Sequence, residues 1–179
     1  MGFPFETQAL KIQQPFGEFF VAIIPSSTLL KVTFPDRLRV TGRASKGGQY
    51  PLAGLQREDR ASRLSEIGRF IDSSEAVFPT PIVLAANYGV DGDGESVDDE
   101  LKWQIVDKKA GGYRLIIPTD AKLASIVDGQ HRLLAFENSE RKEMDLACSI
   151  FFDLPNPYQA YLVTGGKRRI TTNEYLDVS

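Results

Sequence analysis

The sequence predicts an α+β domain, and three observations carry the prediction. Residues 19–24 (FFVAII) are a continuous apolar run stopped by Pro25, the pattern of a strand buried on both faces. Residues 58–72 change period: Leu64, Ile67 and Ile71, with Phe70 beside them, mark one side, and Arg60, Arg63, Glu66 and Arg69 cover the other. That is an amphipathic helix. Finally, strand-like and helix-like segments follow one another without the strict alternation of a doubly wound sheet.

Taken in order, the first run continues through residues 26–32, which are β-branched and apolar, until Pro35 and Asp36 break it. A further short strand is expected over 38–41. Residues 45–54 (SKGGQYPLAG) have the chemistry of an exposed loop. Asp59 or Ser62 can cap the helix at 58–72, and Asp72-Ser73-Ser74 closes it. Phe78-Pro79-Thr80-Pro81 then leads into a strand at 82–86, ended by Asn87. The acidic, glycine-rich stretch 88–100 suggests calcium, but the EF-hand loop needs glycine at its sixth position. Counted from Asp91, Gly94 falls too early, so a solvated hairpin loop is expected. Residues 103–107 and 113–117 pair around a turn at 108–112. A short strand at 124–127, a turn at Asp128-Gly129 and a helix at 130–138 follow, then a strand at 147–152 closed by 153–157. The domain is read as 1–157. Residues 158–179, interrupted by Gly165-Gly166, form an atypical C-terminal segment.

Composition bounds the function. The 179 residues suffice for one domain with a hydrophobic core. At a net charge of −3 the chain is no bulk nucleic-acid binder, so DNA contact would need a local basic patch. Such patches occur at Arg37, Arg39, Arg43 and Lys46, at Arg57, Arg60 and Arg63, and at Lys167, Arg168 and Arg169. Each also reads as a solvated face. The one cysteine, Cys148, lies in an apolar stretch and reads as a buried small hydrophobe rather than a nucleophile. One cysteine and one histidine cannot build a Cys/His zinc site, and no metal ligand set is assigned. The N-terminus lacks a signal-peptide pattern, and no apolar run approaches the roughly 18 residues needed to span a bilayer. A cytoplasmic domain with no membrane contact is the expectation.

The chemistry concentrates in Asp128-Gly129-Gln130-His131-Arg132. A strand that turns sharply at glycine into a helix aims the helix's first N–H groups at one point, which favours an anion such as phosphate. Arg132 has the fork to clamp a phosphate, and His131 supplies a donor or proton-transfer group. Asp128 can orient His131, act as a base or hold a metal. Against this, Asp-Gly is a common turn and an arginine on a first helical turn is often merely solvated.

Residues 126–136, IVDGQHRLLAF, resemble the signature of the DGQHR-domain proteins, which include the DndB proteins of bacterial DNA phosphorothioation clusters. That family is similar to the ParB/sulfiredoxin superfamily, which binds nucleotide phosphates at a comparable turn. Gln56-Arg57, the helix after it and Phe78-Pro79-Thr80-Pro81-Ile82-Val83 resemble the family's upstream box. The resemblance covers roughly residues 16–152. It implies a mixed sheet of ParB/sulfiredoxin type, with Gln56 and Arg57 lining a pocket floored by residues 128–132. It further implies ATP or CTP as ligand, with Mg2+, and Asp128 and His131 as catalytic candidates in NTP hydrolysis. The role implied is a DndB-like, DNA-binding transcriptional regulator in a DNA-modification or phage-defence system. An enzyme acting on nucleotide or DNA, and a degenerate interaction domain, are the alternatives.

Overall fold

The computed structural model describes residues 2–35, 55–88, 97–141, 143–152 and 154, with the helical backbone alone for residues 55–60. The expected elements at 38–41 and 45–54, most of the acidic loop and the segment 158–179 lie outside the described residues.

The architecture is α+β. Among the described residues eight strands form one mixed sheet: β1 (Phe5–Gln14), β2 (Gly17–Pro25), β3 (Thr33–Pro35), β4 (Ile82–Ala86), β5 (Gln104–Asp107), β6 (Tyr113–Ile117), β7 (Ala124–Asp128) and β8 (Asp145–Phe152). Their order across the sheet is β3-β7-β4-β8-β2-β1-β6-β5. The pairs β3/β7 and β4/β8 are parallel, and the remaining pairs are antiparallel. The helices α1 (Ser26–Val32), α2 (Leu55–Asp72) and α3 (Gln130–Leu134) send Leu29, Val32, Ile71 and Leu133 into one core cluster with Ile24, Leu84, Leu115, Cys148 and Ile150 from the strands.

The strand at 82–86, the hairpin strands at 104–107 and 113–117, and the strand ending at 152 fall where the sequence puts them. In the hairpin, the Lys108 N–H donates to the Gly112 carbonyl at 2.7 Å, closing the turn. Trp103 just precedes β5, fixed by Asn87, whose side-chain amide exchanges hydrogen bonds with the Trp103 backbone at 2.8 and 3.2 Å.

Two expectations need correction. Residues 26–32 do not continue the strand but form α1, although Thr28 and Val32 favour sheet. Pro25 supplies a backbone that is extended (φ −61°, ψ 141°) at the helix entry. The Ser26 N–H still donates to the Met144 carbonyl beside the β2–β8 ladder, at 2.9 Å. The helix then buries Leu29 and Val32 completely, one turn apart, and that burial outweighs local preference. Nor is β2 buried on both faces. Phe20, Ala22 and Ile24 face the core, whereas Ile23 on the other face is 49% exposed. Neighbouring β1 has no counterpart in the expectations. Its inward residue Ala9 is small, and its outward face carries Leu10, exposed, so apolar side chains point both ways and no clean alternation marks the strand.

Cys148 is fully buried on β8, opposite Ala22 and Ile82, as its apolar neighbourhood suggests. Burial pushes its thiol from 9.0 up to about 12. In the unfolded chain the thiol ionises near its ordinary value, so above pH 9 the folded state holds the extra proton and stability falls as pH rises toward 12. Each unit of this window corresponds to at most about 1.4 kcal/mol. Alkaline denaturation of wild type and Cys148→Ala is expected to show a stability difference that moves in favour of the alanine variant as pH rises through the window. Parallel pH curves would remove the buried thiol from the account.

Candidate functional site

The site is built where β7 leaves the sheet. All of Ala124, Ser125, Ile126 and Val127 are buried, and Asp128, the next residue, emerges with its side chain 69% exposed. Gly129 follows in the left-handed region (φ +90°), a conformation that costs a residue with a Cβ about 1–2 kcal/mol. It also permits a close approach, since a Cβ here would sit 2.6 Å from Ile82 Cδ1. The chain then enters α3, whose first turn closes by the Leu133 N–H donating to the Gly129 carbonyl at 3.1 Å. The expected helix over 130–138 is present in two parts, α3 and a tighter 3-10 turn at Ala135–Asn138.

Arg132 ties this turn to the entry of β4. One terminal nitrogen of its guanidinium donates to the Thr80 carbonyl and, at 2.6 Å, to Thr80 Oγ1. The other donates to the Pro81 carbonyl at 3.2 Å and lies 3.7 Å from the Asp128 carboxylate. Because β4 runs antiparallel to β7, its first residues lie at the same end of the sheet as Asp128; Val83 pairs with Asp128 itself across a bulge. The Phe-Pro-Thr-Pro stretch before β4 thus has a definite job. Thr80 and Pro81 hold the arginine, and Phe78 wedges edge-on between Phe70 of α2 (5.7 Å) and Phe136 (6.3 Å).

Helix α2 forms the opposite wall. Ile71 is fully buried, and Leu64 and Ile67 pack against the core, as the amphipathic spacing requires. At Gly68 the helix comes so close to the 3-10 turn that a Cβ would lie 3.3 Å from the Asn138 carbonyl oxygen. Its C-terminal Asp72 carboxylate accepts the Glu140 and Arg141 N–H groups at 3.0 and 2.8 Å, pinning the segment after the turn.

Between these walls lies an open pocket of about 370 Å3, lined by Arg63, Ile67, Val127, Asp128, Gly129, Gln130, His131 and Arg132. This falls within the size range of small-molecule sites. All five residues of the Asp128-to-Arg132 motif therefore border one cavity. Gln56 and Arg57 lie in the first turn of α2, and their side chains are outside the described residues. In the sequence Arg63 stands on the polar side of its helix and in the basic cluster with Arg57 and Arg60. What distinguishes it is its place one turn before Ile67, at the edge of the packed stripe.

No family model matches the chain, and neither a curated protein nor a solved structure does. The site is accordingly read from its own chemistry. Among the described residues no group of three or more His, Cys, Asp or Glu side chains is placed to hold a metal ion, and no helix is long and apolar enough to cross a membrane. Asp128 is the sole carboxylate on the pocket wall among the described residues.

Proposed function

We propose that this chain is a nucleotide-binding domain of ParB/sulfiredoxin type, related to the DGQHR-domain proteins, acting as a DndB-like regulator in a DNA-modification or phage-defence system. The supporting observation is that Asp128, Gly129, Gln130, His131 and Arg132 border a single pocket at the end of a sheet strand, walled by a second helix. A mixed sheet with a strand–glycine turn–helix is compatible with that fold. On this reading the ligand is ATP or CTP carried with Mg2+. Its phosphates would meet the first amides of α3, which by helix geometry lack intrahelical partners. The dipole of a five-residue helix adds little, so side-chain cations must supply most of the attraction. Asp128, exposed at the rim, would contact the metal or the attacking water, and His131 would assist proton transfer. DNA contact would fall to the basic clusters at 37–46 and 167–169, outside the described residues.

Calorimetric titration of the chain with ATP, CTP and GTP, with and without Mg2+, tests the reading. Micromolar binding of at least one nucleotide is expected. Asp128→Asn should keep that affinity and lose any hydrolysis. Silence from a folded wild-type protein sinks the nucleotide reading and favours a domain kept for its contacts.

A further inference from the structure

We propose that Arg63, not Arg132, is the guanidinium that grips the ligand's phosphate, and that Arg132 is a positioning residue. The inference rests on the phosphate-pocket reading above.

Donor accounting separates the two arginines. A guanidinium has five N–H donors, two on each terminal nitrogen and one on Nε. In Arg132 the first terminal nitrogen serves the Thr80 carbonyl and Thr80 Oγ1. The second serves the Pro81 carbonyl and faces the Asp128 carboxylate at 3.7 Å. Three of the five N–H groups are thus hydrogen-bonded, and those remaining are Nε–H and one on the terminal nitrogen that faces the Asp128 carboxylate, whose negative charge opposes a phosphate there. Turning the whole fork to a ligand would break its hydrogen bonds to Thr80 and Pro81 at the strand entry. Its charge is also partly offset by Asp128.

Arg63 is in the opposite condition. It is exposed, lines the same pocket, and has no hydrogen-bonding or ionic partner among the described residues. Its direction is fixed by packing rather than by polar bonds. Ile71 is fully buried and Ile67 packs on the core, so the rotation of α2 is set, and Arg63, one turn before Ile67, comes to the pocket side. The helix wall thereby presents a free fork across from the Gly129 turn. The favoured ligand class is a nucleoside polyphosphate whose terminal phosphate meets the Arg63 guanidinium. The nucleoside would lie on the apolar side of the pocket made by Ile67 and Val127.

The experiment is titration of ATP, ADP and adenosine into wild type, Arg63→Ala, Arg63→Gln and Arg132→Lys, with thermal unfolding of each. For a charge-assisted contact, Arg63→Ala and Arg63→Gln should each weaken ATP about 10- to 100-fold and adenosine hardly at all. Their unfolding temperatures should stay near wild type, as for most exposed substitutions. Arg132→Lys, unable to reproduce the fork, should unfold earlier. ATP affinity unchanged in both Arg63 variants, with wild type binding normally, overturns the assignment while leaving the nucleotide reading intact. A wild type that binds none of the three overturns that reading and this assignment together.

Discussion

Phe136→Ala should cost about 3–5 kcal/mol of folding stability, the range for emptying a large aromatic site in a core. Phe136 is 1% exposed and is among the largest fully buried side chains of the described structure. Its ring meets Phe78 edge-on at 6.3 Å, and Phe78 in turn meets Phe70 of α2 at 5.7 Å. Such pairs add about 0.5–1.5 kcal/mol beyond their buried area. The ring sits in the 3-10 turn that continues α3, so the void would open between α2 and the segment carrying the motif. Since domains are stable by only about 5–15 kcal/mol, the variant would retain little margin. Phe70→Ala is the control, because Phe70 is 39% exposed and lies at the solvent end of the same aromatic row. Urea denaturation of both variants checks the ranking. Equal losses would mean that the row is not anchored at Phe136. If Phe136→Ala folds at low temperature, weaker nucleotide binding is also expected, because the two pocket walls meet across this ring.

Strands at 82–86 and 113–117 show themselves because turn residues and prolines bound short apolar runs, and the periodicity of α2 shows because Leu64, Ile67 and Ile71 recur at helical spacing. Local chemistry sufficed there. It was not sufficient at α1, where Thr28 and Val32 speak for sheet and only the buried positions of Leu29 and Val32 make a helix worthwhile. Burial of that kind depends on β2 and β8 being present, which no window of sequence contains. The same division runs through the site. The Asp128-Gly129 turn is visible in the residues themselves, since a glycine between a strand and a helix has few other uses. Which arginine stays available is not. Arg132 belongs to the motif and looks like the clamp, yet the chain fold brings the Thr80 and Pro81 carbonyls to it from about fifty residues away. Arg63 looks like ordinary surface charge until Ile67 and Ile71 fix the rotation of its helix.

Gly129→Ala should destabilise the protein by about 2–5 kcal/mol through two separable causes. The first is the backbone. At φ +90° an alanine gives up about 1–2 kcal/mol whatever surrounds it. The second is space, because the new Cβ would fall 2.6 Å from Ile82 Cδ1 and 3.0 Å from an Arg132 terminal nitrogen. Ile82 is 1% exposed at the start of β4, so its side chain has no free volume into which to retreat. Ile82→Val deletes the offending Cδ1 and by itself costs about 0.5–1.5 kcal/mol. In that background the alanine should cost less, with a remainder near the backbone share. A double-mutant cycle measured by chemical denaturation isolates the difference as a coupling between residues 82 and 129. Additive losses would place the whole penalty in the backbone and deny the close packing of the turn on β4. A clear coupling would instead make the glycine a packing element. The turn then sits against β4 only because nothing projects from residue 129, and the same closeness lets Arg132 reach Thr80 and Pro81. On that account the glycine acts on the pocket indirectly. Pushing the guanidinium off Pro81 would free a second fork beside Asp128, so Gly129→Ala would disturb ligand binding through Arg132 even where the backbone amides still point at the ligand.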